Sequence, residues 1–116
     1  MTESLIFPDL LNIAARADEI AWEAFGTGTD IYRIYNNGTA AAALIRYQPG
    51  AKVPHHQHTG FEHIIVLSGS QVDANGEHKA GTLVVNPPES SHSVASENGC
   101  IVLVIWEKPN IWSEAS

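Results

Sequence analysis

Three side chains that commonly bind metal ions lie close together in the segment GAKVPHHQHTGFEHIIVLSG, which residues 50–69 form. His56 and His58 are two residues apart, so on an extended strand both imidazoles project from the same face. Glu62 begins a second apolar run, and alternation along that run places its carboxylate on the core-facing side. A core-facing carboxylate is costly unless a nearby charge compensates it. A bound cation would provide that compensation.

A fourth candidate ligand, His92, follows in the segment GTLVVNPPESSHSV, after two prolines that turn the chain. The two segments resemble the two motifs of the cupin superfamily, the first at every fixed position and the second in part. The matching residues are Gly50, His56, His58, Glu62 and Gly69 in the first motif, and Gly81, Pro87 and His92 in the second. Glu89 and Ser96 replace a glycine and an asparagine of the second motif. Neither replacement removes a ligand, although Glu89 in place of glycine affects the geometry of the turn.

A more specific resemblance covers residues 22–109, which are similar to the cupin domain of ChrR-type anti-sigma factors. The similarity includes the phrase VLSGSQVDANGEHKAGTLVVNPPESSH and the later phrase ENGCIVLVIWEKP. The resemblance implies a cupin barrel, that is, a double-stranded β-helix or jelly roll. The zinc-binding helical module by which those factors bind the sigma factor has no counterpart in this sequence. We therefore do not expect anti-sigma activity.

Three neutral imidazoles and one carboxylate suit one divalent ion per chain, which would be Fe(II), Zn, Mn, Ni or Cu. The sequence does not choose among these metals. An octahedral ion held by four protein ligands would keep two positions open for substrate, water or dioxygen. Open positions are what distinguish a reactive metal site from a structural one. The sequence therefore predicts a metal site on His56, His58, Glu62 and His92.

Other residues that could do chemistry have simpler interpretations. By alternation, His55 and His63 point away from the predicted ligands, and His78 lies in an exposed hairpin. Cys100 begins a buried apolar strand, with no activating cation beside it in sequence. Three serines lie next to or near His92, and we expect them to be ordinary polar residues of a turn: Ser90, Ser91 and Ser93. Core packing is the expected role of Trp22, Trp106, Tyr47 and Phe61, although any of them could line the pocket.

Composition limits the remaining possibilities. A chain of 116 residues forms one domain, for which we expect a barrel core over about residues 22–109 and an N-terminal segment, 1–21, that packs on a partner subunit. The net charge of -7 argues against binding to nucleic acid or to an anionic membrane. With a single cysteine and no signal peptide, cytoplasmic residence is expected. Apolar residues near the N-terminus and open sheet edges predict a homodimer.

The pattern of apolar residues predicts an all-β fold. A short helix over Leu10–Arg16 is expected before the strands begin. Period-two segments then predict strands, with Asn-Gly turns at residues 37–38, 75–76 and 98–99. The predicted strands include Asp30–Tyr35, Ala41–Tyr47, Lys52–His58, Phe61–Leu67, Leu83–Val85 and Cys100–Trp106. Short strands with glycine-rich turns are typical of a sandwich or a barrel.

The resemblance implies a non-haem metal-dependent dioxygenase that acts on a small organic molecule such as a diketone or a phenolic ketone. An alternative is a non-catalytic module that senses a small molecule or an oxidant through the metal. A sugar isomerase or epimerase is a third possibility. It is less favoured because the six Lys and Arg residues form no evident cluster for a phosphate.

Overall fold

The fold is described for residues 3–112 from a computed structural model. An N-terminal 3₁₀ helix, Leu10–Glu19, precedes ten strands. The strands are β1 (Glu23–Gly26), β2 (Thr29–Asn36), β3 (Ala41–Tyr47), β4 (Ala51–Gln57), β5 (Glu62–Asp73), β6 (Gly76–Lys79), β7 (Leu83–Asn86), β8 (Ser91–Ser96), β9 (Cys100–Trp106) and β10 (Ile111–Trp112). The all-β prediction is confirmed, and so is the short helix, which ends three residues later than expected. The sequence did not predict β10.

The strands pair antiparallel in the order β1-β2-β3-β9-β5-β8-β4-β10, and β6 and β7 also pair with β5. The first half of β5 lies between β7 and β9, while its second half pairs with β6 and meets β8 at one position. A register shift between Val66 and Ser68 bends the strand between these halves. Because β5 belongs to both parts of the curled sheet, it joins the two walls of the barrel.

Two groups of buried apolar residues hold the sheet in this shape. The larger group fills the barrel interior, with Val66 and Val102 fully buried at its centre. The smaller group lies on the outer face, where Ile13 of the 3₁₀ helix packs against Leu44 and Ile101. The interior group surrounds the predicted ligands, so the core and the candidate site occupy the same space. No helix among residues 3–112 is long and apolar enough to cross a membrane.

Candidate metal centre

The structure brings the four predicted metal ligands together inside the barrel. His56, His58 and Glu62 are buried, His92 is partly buried, and one ligand atom from each lies within 4.8 Å of all the others. β4 supplies His56, β5 supplies Glu62 and β8 supplies His92, while His58 directly follows β4. β4 and β8 belong to one wall of the barrel, whereas Glu62 lies in the half of β5 that pairs with β7 and β9 in the other wall. Both walls therefore contribute to a single cluster that could hold a metal ion.

A β-bulge in β4 turns His56 and His58 into the barrel. Val53 pairs with Val94 and His56 pairs with His92, so β4 uses three steps where β8 uses two. The extra residue lies at Pro54 or His55, and proline is tolerated at bulges because no ladder hydrogen bond is needed there. Without this extra residue, alternation from the buried Val53 would point His56 outwards. The sequence predicted a shared face for the two histidines but not the bulge that selects the inner face.

Hydrogen bonds to the outer ring nitrogens fix the orientation of two imidazoles. Nδ1 of His56 lies 2.8 Å from the carbonyl oxygen of Pro54, which can only accept a hydrogen bond. Nδ1 of His58 lies 2.9 Å from Oγ of Ser90, whose hydroxyl donates to the carbonyl oxygen of Pro87 at 2.6 Å. Both Nδ1 atoms therefore carry the proton, which leaves each Nε2 with a free lone pair directed into the cluster. Ser90 thus does more than the turn polarity predicted for it.

Two side-chain N–H groups hold the carboxylate of Glu62 in place. Nε1 of Trp106 donates to its Oε2 at 2.7 Å, and Nδ2 of Asn86 donates to its Oε1 at 3.0 Å. Burial alone would raise the pKa of Glu62, but the contact with His58 and the nearby His92 and His56 outweigh that effect and lower it. The group is therefore an anion at neutral pH, as a metal ligand must be.

Burial keeps the imidazoles in the form that binds metals. It lowers the pKa of His92 to about 4, with His56 adding to the effect, and it also lowers the pKa of His56 itself. At neutral pH both rings are uncharged. Neutral imidazole is the ligand form of histidine, so neither ring has to lose a positive charge before an ion binds.

The spacing of the ligand atoms fits a divalent transition metal. Nε2 of His92 is 2.9 Å from Nε2 of His56, and Oε1 of Glu62 is 3.0 Å from Nε2 of His58 and 3.7 Å from Nε2 of His92. Bonds of about 2.1 Å to one ion would place neighbouring octahedral ligands about 3.0 Å apart. Nε2 of His58 is buried and makes no aligned hydrogen bond, even to the nearby Glu62. A bound cation would satisfy that nitrogen and the converging lone pairs.

A cavity of about 30 Å³ lies beside the cluster, with His56, Glu62 and His92 in its wall. Most of its remaining wall is apolar, but Tyr47 and Gln71 contribute a buried hydrogen-bonded pair, with 3.1 Å between Nε2 of Gln71 and the tyrosine oxygen. The volume exceeds the roughly 10–15 Å³ that one water needs. The cavity is therefore large enough for water or dioxygen.

Aromatic residues close the outer side of this cavity. The ring of Trp112 on β10 lies 4.7 Å from the ring of His56 and 6.5 Å from that of Phe25, measured between centroids. Trp106, which was expected to pack in the core, also lines the cavity. No pattern in the sequence indicated Trp112, because its position depends on the pairing of β10 with β4. These rings cover part of the cluster, in which His92 is still partly exposed.

A larger groove of about 350 Å³ lies on the other side of the aromatic closure. We call it the mouth groove; it is lined by residues of β2, β3 and the chain after β9. Four residues line both spaces: Phe25, Trp106, Asn110 and Trp112. The small cavity and the mouth groove are thus neighbours that share one partition.

The remaining candidate residues lie away from the cluster. His55 is exposed, and Nε2 of His78 lies 2.9 Å from a carboxylate oxygen of Asp73 in the hairpin. Cys100 is buried, and this burial raises the pKa of its thiol to about 11. Phe61 is 43 % exposed, so its expected core role is wrong. Glu89 adopts a left-handed conformation, with φ of 74°, at the place where the cupin motif has glycine.

Comparison with known proteins supports the cupin interpretation. The model of the ChrR cupin-like domain family matches residues 11–108. The anti-sigma-E factor ChrR of Cereibacter sphaeroides is 29 % identical over 99 residues, which are 84 % of this chain and 46 % of that protein. The crystal structure of Rhodobacter sphaeroides SigE in complex with ChrR matches with a TM-score of 0.73 and 28 % identity, covering 85 % of this chain and 56 % of that one.

The chain thus spans about half the length of the ChrR proteins it matches. A further structure, an acetylacetone dioxygenase from Acinetobacter johnsonii, matches with a TM-score of 0.78 and covers 98 % of this chain and 79 % of that one. The sequence identity is 11 %, so this similarity shows a shared fold.

Proposed function

The chain belongs to the ChrR cupin-like domain family, and from that premise we propose that it binds one divalent ion on His56, His58, Glu62 and His92 and uses it reactively. The observation that carries this proposal is the convergence of the four ligand atoms at the wall of an interior cavity. A purely structural ion would need no space beside it. Space for one or two water-sized molecules suits an ion with open coordination positions.

The protein residues prepare the site for such an ion. Ser90 and the carbonyl of Pro54 keep two imidazole lone pairs directed inwards, while Trp106 and Asn86 fix the carboxylate of Glu62. The apolar wall and the aromatic rings limit the contact of the ligands with bulk water, which strengthens electrostatic interactions inside. A bound divalent ion would supply a Lewis acid, and a redox-active one would also supply electrons.

The arrangement of the two spaces favours a dioxygenase-like enzyme. The cavity beside the cluster suits dioxygen, and the mouth groove suits a small organic molecule of the size that protein pockets of about 300–1,000 Å³ usually hold. For direct contact between such a molecule and the ion, the partition formed by Phe25 and Trp112 would have to open. Both residues are partly exposed, at 37 % and 45 %, and neither is locked in the core.

The test is oxygen consumption by the Fe(II)-loaded protein with a panel of diketones and phenolic ketones. We expect uptake with at least one compound, no uptake by the Zn-loaded protein, and loss of iron and uptake in His92→Ala. The matched control is His55→Ala, because His55 neighbours a proposed ligand in sequence but is exposed. No uptake with any compound by a fully iron-loaded protein would refute the enzymatic proposal.

A second candidate is a sensing module that responds to a small molecule or oxidant through the metal. The relationship to ChrR, which is described as an anti-sigma factor and was crystallised with SigE, favours this alternative. Turnover with a defined substrate would argue against it. A ligand-dependent change in oligomeric state, measured by light scattering without turnover, would support it.

A sugar isomerase or epimerase remains the weakest proposal. All six Lys and Arg residues lie in the described part of the chain, and Arg33 is the one that lines the mouth groove. Arg33 is already 3.4 Å from the carboxylate of Glu23. A phosphorylated sugar would therefore meet little free positive charge at the entrance.

A further inference from the structure

We propose that the mouth groove is a binding site for a neutral planar aromatic molecule that carries a hydroxyl group. The proposal goes beyond the metal chemistry, since the groove walls are complete without an ion. It depends on the shape, the aromatic lining, the charge and one unpaired amide of the groove.

The strand that forms the floor of the groove carries unusually small side chains. Ala41 and Ala43 share one face of β3 and line the groove, at positions where β-branched or aromatic residues are usually favoured. Trp106 is paired across the sheet with Ala41. Because a methyl group stands opposite a large ring, space remains beside the indole. A flat molecule can lie there with its face against aromatic carbon.

The walls of the groove supply the aromatic contacts. Tyr35 lies on one side, while Phe25, Trp106 and Trp112 form the partition towards the metal cavity. Offset or edge-to-face contacts between aromatic rings add about 0.5–1.5 kcal/mol beyond the area they bury. Exposed aromatic side chains around one concave surface therefore favour an aromatic ligand over an aliphatic one of the same size.

The charges at the groove favour a neutral ligand. Arg33 is the one cation in the lining, and the carboxylate of Glu23 already lies 3.4 Å from its guanidinium. The whole chain carries a net charge of -7, which repels anions. A carboxylate ligand would have to compete with Glu23 for Arg33.

Asn110 provides the polar recognition in the partition. Its Oδ1 is buried and has no hydrogen-bond partner, while its Nδ2 is 3.5 Å from Oε2 of Glu62, at the limit of a hydrogen bond. The amide is therefore weakly held, and a small rotation would bring its oxygen to the groove. An unpaired carbonyl needs a donor, and a phenolic hydroxyl supplies one at the edge of a planar ring.

The test is calorimetric titration of the EDTA-treated protein with 2-naphthol, 2-methoxynaphthalene and 2-naphthoate. We expect 2-naphthol to bind one per chain, and the other two compounds, which lack the donor or add a charge, to bind about five- to tenfold more weakly. Ala41→Leu should abolish binding by filling the groove, while Ala80→Leu, the same change at an exposed residue, should not. Asn110→Leu should remove the preference for 2-naphthol, and Asn98→Leu should keep it.

Absence of 2-naphthol binding, or binding that Ala41→Leu leaves intact in a variant whose circular dichroism is unchanged, would overturn the proposal. Equal affinity for all three compounds would overturn the assigned ligand class. Because the titration uses metal-free protein, its failure is separate from failure of the oxygen-consumption assay. A repeat with Zn-loaded protein should give the same order of affinities.

Discussion

Replacement of Ser90 by alanine should weaken metal binding while leaving the fold intact. The hydroxyl of Ser90 accepts the Nδ1 proton of His58 over 2.9 Å, and His58 is 1 % exposed, so loss of this acceptor leaves a buried donor unpaired. In the metal-free variant His58 can move its proton to Nε2, which lies 3.0 Å from Oε1 of Glu62. With an ion bound to Nε2, the proton cannot move there and Nδ1 stays an unpaired donor. The cost therefore falls mainly on the metal-bound state.

The magnitude follows from the cost of one buried unpaired donor, about 1–3 kcal/mol. Since about 1.4 kcal/mol corresponds to a factor of ten in affinity, we expect binding to be roughly ten- to hundredfold weaker, which is the range typical for loss of a group that orients a ligand. The assay is competition for Zn between the protein and a chromophoric chelator. Ser90→Thr retains the hydroxyl and should recover most of the affinity.

Ser93→Ala is the matched control, because Ser93 is an exposed serine on β8. It should bind Zn as tightly as the unmodified protein. A dissociation constant for Ser90→Ala within twofold of that protein would refute the orienting role, and so would an equal loss in Ser93→Ala. Thermal unfolding of the metal-free variants, followed by circular dichroism, checks that the fold is retained.

Four further predictions concern stability, reactivity and assembly. Glu89→Gly should raise the melting temperature by a few degrees, because a left-handed φ costs a non-glycine residue about 1–2 kcal/mol. Glycine's greater conformational freedom in the unfolded chain offsets part of this gain in stability. The control, Glu97→Gly, should lower the melting temperature, because φ of Glu97 is not left-handed. Cys100 should resist iodoacetamide at pH 8 until denaturant is added, since burial raises its pKa to about 11 and little thiolate is present; rapid alkylation of folded protein would contradict this. Zn at 100 times its dissociation constant should stabilise the protein by about 2.7 kcal/mol, and an unchanged melting temperature would argue against binding to the folded state. We also propose that the chain is a homodimer that buries Ile6 and Leu11, which are 80 % and 78 % exposed; a monomer in light scattering at micromolar concentration would disprove it.

Much of the fold was predictable because its signals are local. The bounds of β3 and β9 agree with the structure, since each is a nearly continuous apolar run between turn residues. The hairpin after β5 turns at Asn75 and Gly76 as expected. Three of the ligand candidates were recognisable because they lie within seven residues, and His92 was recognisable because its segment resembles the second cupin motif.

The parts that were not predicted depend on residues distant in sequence. Trp112 reaches His56 because β10 pairs with β4 at the end of the strand order, and nothing near residue 112 indicates that partner. The contact of Trp106 with Glu62 joins residues 44 positions apart. The bulge in β4 is visible when the strand is compared with β8, and a single strand read by alternation does not reveal it.

The positions of the ligands along the chain also have a consequence for the order of folding events. His56, His58 and Glu62 are synthesised almost together, whereas His92 follows His56 by 36 residues. An emerging chain would offer a three-ligand site that exchanges ions easily. Once β8 has paired with β4, an ion that reaches His92 would link two strands like a removable cross-link. Separating those strands would then require the ion to leave, so metal binding should slow unfolding.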